Sequence, residues 1–435
     1  MPSTNAVLSD QDGVEALPRV LIVAEYVSTR FGGEAVLPWH YFRMLRDRGI
    51  EAWLVTHART QNELIELLPS EVSRFYFVPD TEFDKLCGRL GRYLPGQLSY
   101  ITLGYMSRIK TQLAARRVVR QVVKEKQVDV VHQPIPVSPR EPSLMHGLGA
   151  PVVIGPMNGN MSYPSFVKKN PRQRLLTGLY GLARYTTVVL HRLMPGKLRA
   201  AVLLVANERT KRALPAGARG EVSILVENGV DLAVWSPPDR PPPVEAPARF
   251  IFLGRLVDWK AVDLLLEAFA RVQAPFLPRL EIIGDGPMRS ALEAQVRDLC
   301  LDDRVQFAGW QSQPECARRL RDGDALVLPS IYECGGAVVL EAMACGLPVI
   351  ATEWGGPVDY LDSSCGILVR PSSRNALISG FADAMSRLAS SPTLRASLGR
   401  VGRERVVREF NWEHKIDRML AVYRRVAKPR KFGDS

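Results

Sequence analysis

Glu333-Cys334-Gly335-Gly336-Ala337-Val338-Val339-Leu340-Glu341 is the stretch whose reading decides the fold. The apolar segment Ala325-Leu326-Val327-Leu328-Pro329 leads into it and has the unbroken hydrophobic character of a strand buried on both faces. The Gly335-Gly336 pair breaks that run. Ala337 to Ala344 is then a series of good helix formers, which Gly346-Leu347-Pro348 stops. Val349-Ile350-Ala351 resumes as a strand. Strand, glycine turn, helix and strand make one right-handed βαβ unit, so the sheet is parallel.

The turn has the properties of an anion site. Glycines let a ligand approach the backbone closely, and the first N–H groups of a helix have no internal partner. Two carboxylates bracket it. With the helix starting near Gly336, Glu341 lies roughly 7–8 Å further along the axis, at about 1.5 Å per residue. A carboxylate does not pair with phosphate, but it accepts hydrogen bonds from vicinal hydroxyls. Glutamates on both sides of a phosphate cradle therefore suit a ligand with sugar hydroxyls on either side of a diphosphate. A bare pair of glutamates would equally read as a helix cap and a solvated face; the glycines between them favour the ligand.

Working outward, a fresh α/β pattern opens at Arg249-Phe250-Ile251-Phe252-Leu253. It continues through Leu280–Ile283, Val305–Phe307, Ala325–Leu328 and Val349–Ala351, which predicts a doubly wound domain of five strands. The turn after its first strand is Gly254-Arg255-Leu256-Val257-Asp258-Trp259-Lys260. Other strands end in Gly284-Asp285-Gly286-Pro287 and Gly309-Trp310-Gln311. Strand ends of open α/β sheets are where ligands bind. Arg255 can offer phosphate a fork and Lys260 a point charge.

The first half repeats the architecture. Arg19 to Ala24 reads as a buried strand, followed by Phe31-Gly32-Gly33-Glu34, an amphipathic helix through Leu37, Tyr41 and Leu45, and a second strand from Ile50 to Thr56. Strands recur at Val128–His132, Pro151–Ile154 and Val202–Val205, and Val222–Val226 leads into Glu227-Asn228-Gly229-Val230-Asp231. A proline-rich connection spans Ser236 to Pro247, and an amphipathic helix runs from Trp412 to Ala427.

Composition sets the class. The 435 residues, 46% of them hydrophobic, suffice for two well-filled cores. Six scattered cysteines show no metal-ligand spacing and fit a reducing cytosol. The start of the chain lacks the basic-then-apolar order of a signal peptide, and no apolar run of about 18 residues is present, so a cytoplasmic protein is expected. The net charge is +12. Residues 1–215 hold 29 Lys and Arg against 17 Asp and Glu, whereas 216–435 hold 28 of each. Two basic amphipathic segments, 81–127 and 168–199, concentrate the excess. They suit an anionic membrane surface, the alternative being core helices with a solvated basic face. No recognised nucleic-acid module accompanies the charge.

Together, Gly32-Gly33, Asn228-Gly229-Val230-Asp231, Gly254-Arg255 with Lys260, Gly284-Asp285-Gly286-Pro287, and Glu333 with Glu341 resemble the family 4 retaining glycosyltransferases of GT-B fold, of the bacterial polysaccharide-assembly type. The resemblance implies two Rossmann-like domains facing across a cleft: a flexible N-terminus (1–17), an acceptor-binding domain (18–218), a nucleotide-sugar-binding domain (219–408), a helix crossing back to the first domain (409–428) and a basic tail (429–435). It implies that Arg255 and Lys260 bind the donor diphosphate and that Glu333 accepts from sugar hydroxyls. Gly335, Gly336 and Ala337 support sugar or phosphates, Glu341 holds the ribose, Gly309 and Trp310 meet the base, and Gly284 and Gly286 belong to the donor side. Gly32, Gly33 and Glu34 lie across the cleft.

Where relatives carry a cleft histidine this chain has Asn158, and His132 is the other candidate for that place. The expected activity is retaining, metal-independent transfer of a hexosyl unit from a UDP- or GDP-linked sugar to a lipid-linked or saccharide acceptor in cell-surface polysaccharide synthesis, with no cofactor. The expected location is the cytoplasmic face of the inner membrane. A soluble sugar or glucan synthase, a nucleotide-sugar epimerase and, last, a nucleic-acid binder are the rival readings.

Overall fold

The computed structural model describes residues 17–30, 33–91, 93, 103–167, 188–238 and 246–427. Gly32, most of the N-terminal stretch, residues 168–187 of the second basic segment, part of the proline-rich connection and the basic tail lie outside them.

Two parallel sheets form the molecule. The first has seven strands in the order β3-β2-β1-β4-β5-β6-β7: β1 Val20–Val23, β2 Ala52–His57, β3 Phe75–Val78, β4 Val130–Gln133, β5 Val152–Met157, β6 Val202–Val205 and β7 Glu221–Ile224. The second has six in the order β10-β9-β8-β11-β12-β13: β8 Arg249–Leu253, β9 Arg279–Ile283, β10 Val305–Gly309, β11 Ala325–Leu328, β12 Val349–Thr352 and β13 Gly366–Val369. The strand order reverses between β1 and β4 and again between β8 and β11. Each reversal opens a crevice at the strand carboxyl ends.

The second domain thus has six strands where five are expected, and the first gains β3. Both additions are edge strands with only their end residues buried. An edge strand lacks the continuous apolar run that marks β1, β4, β6, β11 and β12, each buried throughout.

Two chain crossings join the domains. The outward one, residues 225–231, pairs with the return at Phe410–Trp412 through Val230 N–H to the Phe410 carbonyl (2.9 Å) and Trp412 N–H to the Val230 carbonyl (3.2 Å). The helix Trp412–Val426 then lies on the first domain, its N-terminus capped by the Asn411 side chain. Trp412, Ile416, Met419 and Tyr423 form one helical stripe buried with Tyr41, Phe42 and Leu45 of the helix Leu37–Asp47. Each such side chain stabilises the contact by about 1.5–3 kcal/mol. Gly229 lies close under Trp412, where a Cβ would stand 3.0 Å from the indole and crowd it.

Lys415 of the same helix is buried and donates to the carbonyls of Val226, Glu227 and Asn228 at 2.7, 2.7 and 2.6 Å. Three accepting carbonyls use all three ammonium hydrogens. The buried Glu227 carboxylate supplies the opposing charge.

Candidate active site

A cleft of about 590 Å³ separates the domains, a volume typical of small-ligand sites. Its second-domain wall comes from three strand ends: Leu253, Gly254 and Lys260 after β8, Trp310, Gln311 and Gln313 after β10, and Glu333 to Val338 with Glu341 after β11. The first domain contributes Arg30, Glu34, Leu37, His40, Val137 and Asn158. Glu227 to Asp231 and Trp412 form the hinge end.

The glycine turn opens the helix Ala337–Ala344 as the sequence predicts. Gly336 is its N-cap, at φ +72°, a conformation that strains any residue with a Cβ. The Glu333 carboxylate is bound by the Lys260 ammonium, both side chains being mostly buried. Trp259 C=O accepts from Ile331 N–H at 2.9 Å, which ties the loops after β8 and β11 together beside this pair.

Glu341 faces the cleft half-buried, and no cation among the described residues pairs with it. Burial raises its carboxyl to about 7. Gly355 and Gly356 floor the turn: Gly356 N–H donates to the Glu333 carbonyl at 2.8 Å, and a Cβ at either glycine would overlap backbone oxygens of 333–335.

The other predicted donor residues are placed in different ways. Arg255 is exposed and points its charge to no partner among the described residues, so it stands beside the cleft rather than in its lining. Gly284 and Gly286 are glycines for packing: a Cβ at either would strike the carbonyl oxygens of Gly254 and Leu256. Their small size lets the loops after β8 and β9 nest. Gly309 holds φ +72°, and Trp310 stands 69% exposed at the mouth.

Across the cleft, Glu34 accepts from the Tyr26 hydroxyl and, at 3.2 Å, from Val137 N–H. Gly33 has φ +57° at the start of the turn that carries it. Gly32 lies outside the described residues. His132 is corrected: it is not on the cleft. It is fully buried, with Nε2 2.6 Å from the Gly155 carbonyl and Nδ1 2.7 Å from the Tyr423 hydroxyl. Burial lowers it to about 4, so it is neutral, donating to Gly155 and accepting from Tyr423. The reason is the returning helix, which covers the end of β4.

Asn158 does reach the cleft. Its Nδ2 donates to Glu227 Oε1 (2.7 Å) and to the Cys334 carbonyl (2.8 Å), spanning both domains. Further interdomain bonds run from Asn207 to Asp359 (2.7 Å) and from the Trp354 indole to the Ser162 carbonyl (2.7 Å).

Two lining groups escape sequence reading. His40, on the helix after the Gly32-Gly33 turn, stacks on Trp412 at 4.8 Å. Burial and the nearby Arg43 lower it to about 4, so it faces the cleft uncharged. Its signal in the sequence is only its place in that helix. Glu227 is the other, an acid directly before the Asn228-Gly229 turn.

Residues 238–405 match the family model described as glycosyl transferases group 1. Over 216 residues the chain is 36% identical to a D-inositol 3-phosphate glycosyltransferase of Saccharomonospora viridis, covering 46% of this chain and 49% of that protein. Over 181 residues it is 34% identical to the lipopolysaccharide core biosynthesis glycosyltransferase LpsE of Rhizobium meliloti, covering 41% and 50%. The chain spans about half the length of the curated relatives it matches. The whole fold resembles Anabaena Alr3699/HepE in complex with UDP, with a TM-score of 0.61 at 17% identity over 93% of this chain and 98% of that one. The chain has the GT-B fold, and its match to the glycosyl transferases group 1 model lies in the second domain, over residues 238–405.

Proposed function

We propose that the protein is a retaining glycosyltransferase that moves a hexosyl unit from a nucleotide-diphosphate sugar to a hydroxyl of a lipid-linked or saccharide acceptor in cell-surface polysaccharide synthesis. The observation that carries this reading is the Lys260–Glu333 pair beside a glycine-capped helix N-terminus, with Glu341, unpaired among the described residues, about one and a half turns along that helix in the same cleft. A diphosphate sugar divides that pair: phosphate takes the ammonium, sugar hydroxyls take Glu333, and ribose hydroxyls take Glu341. HepE, whose fold is similar, has been solved with UDP and with UDP-glucose.

In this reading the acceptor oxygen forms its bond to the anomeric carbon on the face from which the diphosphate departs. The carbon–oxygen bond to phosphate breaks, and the acceptor proton passes to the leaving diphosphate. Lys260, Arg255 and the helix N-terminus stabilise the charge developing there, so the step calls for neither a dedicated base nor a metal.

The first domain chooses the acceptor. Leu86, Leu90, Met106, Leu113, Val188, Val189 and Leu193 are 47–71% exposed on helices of its basic segments. This supports peripheral attachment to an anionic membrane on the cytoplasmic face. No described helix is long and apolar enough to cross a membrane.

The test is thermal stabilisation by UDP, GDP, ADP and their sugars, with and without EDTA. A nucleotide at about 100 times its dissociation constant raises stability by roughly 2.7 kcal/mol. A shift with one diphosphate, undiminished by EDTA and lost in Glu341→Ala, is expected. No shift with any nucleotide sinks the donor assignment. Glycosylation of a soluble acceptor with no vesicle binding would favour a soluble synthase.

A further inference from the structure

Glu227 is only 5% exposed, yet it lies in the cleft lining and carries one carboxylate oxygen, Oε2, with no hydrogen-bond partner among the described residues. Burying a carboxylate in this state opposes folding, so a stabilising role alone does not account for it. Its other oxygen explains more. Oε1 accepts from Asn158 Nδ2 at 2.7 Å and from Asn228 Nδ2 at 3.0 Å. The second hydrogen of Asn158 Nδ2 goes to the Cys334 carbonyl, 2.8 Å away.

The amide of Asn158 cannot turn over. Its Oδ1 faces donors on Arg209 (3.2 Å), Thr210 (3.3 Å) and Asn207 (3.4 Å), which an NH₂ group could not satisfy. Asn228 Nδ2 is likewise shared with the Tyr360 hydroxyl at 3.0 Å. Gly335 seals the arrangement from above, since a Cβ there would overlap Glu227 Oε1 and Asn228 Nδ2. One carboxylate oxygen therefore meets the first domain through Asn158, the linker through Asn228, and the floor of the Glu333–Gly336 turn. Lys415, which binds the carbonyls of 226–228, holds the segment that presents it.

We propose that Glu227 is a positioning residue: through Asn158 and the Cys334–Gly335 backbone it sets the end of the turn that receives the donor's sugar. This rests on the donor reading above. It separates two parts of one ligand, because the nucleotide end is held by Glu341 and Lys260, whereas the sugar end depends on the placement of Glu333 to Gly336.

The experiment compares binding of UDP with UDP-glucose, and of GDP with GDP-mannose, to wild type, Glu227→Ala, Glu227→Gln and Asn158→Ala by calorimetry. In Glu227→Ala and Asn158→Ala, sugar-nucleotide affinity relative to the free diphosphate is expected to fall about tenfold, the effect of losing about one hydrogen-bonded anchor. Diphosphate affinity itself should move less than about threefold. Glu227→Gln keeps an accepting oxygen and should recover most of the ratio, which a general loss of packing would not do. An unchanged ratio, or equal losses for both ligands, overturns the proposal.

Wild type that binds no nucleotide sugar overturns the donor reading and the proposal with it. A ligand-free double-mutant cycle tests the contact independently. Gly335→Ala should lower the melting temperature less in the Glu227→Ala background than in wild type, and equal losses in both would remove the contact on which the proposal depends.

Discussion

The two walls of the cleft hold their polar groups in opposite ways. On the first domain's side most are already paired, Glu34 by Tyr26 and Val137 and Asn158 by five partners, while His40 stacks on Trp412 with its Nδ1 left without a hydrogen-bond partner among the described residues. On the second domain's side, among the described residues, Glu341 has no counter-charge, Arg255 has no partner, and the side chains of Lys260 and Glu333 have only each other. A saturated wall keeps its shape when a ligand arrives. An unsaturated wall gains its missing partners from the ligand, which is where binding energy comes from. In the reading proposed above, the first wall shapes the site and the second grips the donor.

The largest expected effect breaks the hinge that holds the walls together. Lys415→Met leaves three buried carbonyls and the Glu227 carboxylate uncompensated, and should cost about 3–5 kcal/mol in urea unfolding. A loss below about 1 kcal/mol would mean the crossings are held by the Trp412 stripe alone.

Next, Lys260→Ala should slow sugar transfer at least about 100-fold, as removal of a preorganised donor does. Arg255→Ala should cost more than tenfold if the exposed guanidinium swings onto the diphosphate. Transfer within tenfold of wild type would leave Arg255 outside the machinery.

A smaller effect reads out Glu341. Its carboxyl is raised from 4.5 to about 7 in the ligand-free fold. The protonated form favours the folded state, so this contribution is fully present below about 4.5 and is lost as the pH rises to about 7. Ligand-free stability should therefore fall between pH 5 and 7, and Glu341→Gln should flatten that fall. Ribose hydroxyls donate to the ionised form, so nucleotide affinity should rise over the same window. A pH-independent affinity would place the ribose elsewhere.

The smallest expected effect lies on the outer face of the first domain. Leu86→Glu with Leu193→Glu should reduce sedimentation with anionic vesicles several-fold while leaving nucleotide binding unchanged. Equal binding of wild type to neutral and anionic vesicles would remove the electrostatic part of that attachment.

Legibility in the sequence followed the same division. The second wall is built from strand-end loops, each a short contiguous segment whose glycines and charges can be read in place, so Lys260, Glu333, Gly336 and Glu341 were legible. Gly284 and Gly286 were legible as strand-end glycines but not as packing glycines, because the backbone they must avoid belongs to another loop. The first wall is assembled from distant segments. Asn158, Glu227 and Cys334 meet only when two domains and a linker come together. His132 shows the converse: by its place at a strand end it suited the cleft, and the helix returning from Trp412 buried it.

What the sequence by itself determined is the parallel α/β character of both halves, the glycine-capped turn and the residue types of the second wall. These follow from local periodicity and from residue types a few positions apart. Tertiary structure alone decided the edge strands β3 and β13, the neutral buried state of His132, the pairing of Lys260 with Glu333, and the Glu227–Asn158 junction. Each depends on which groups are brought within about 3 Å and shut away from water, and only the packed chain sets that.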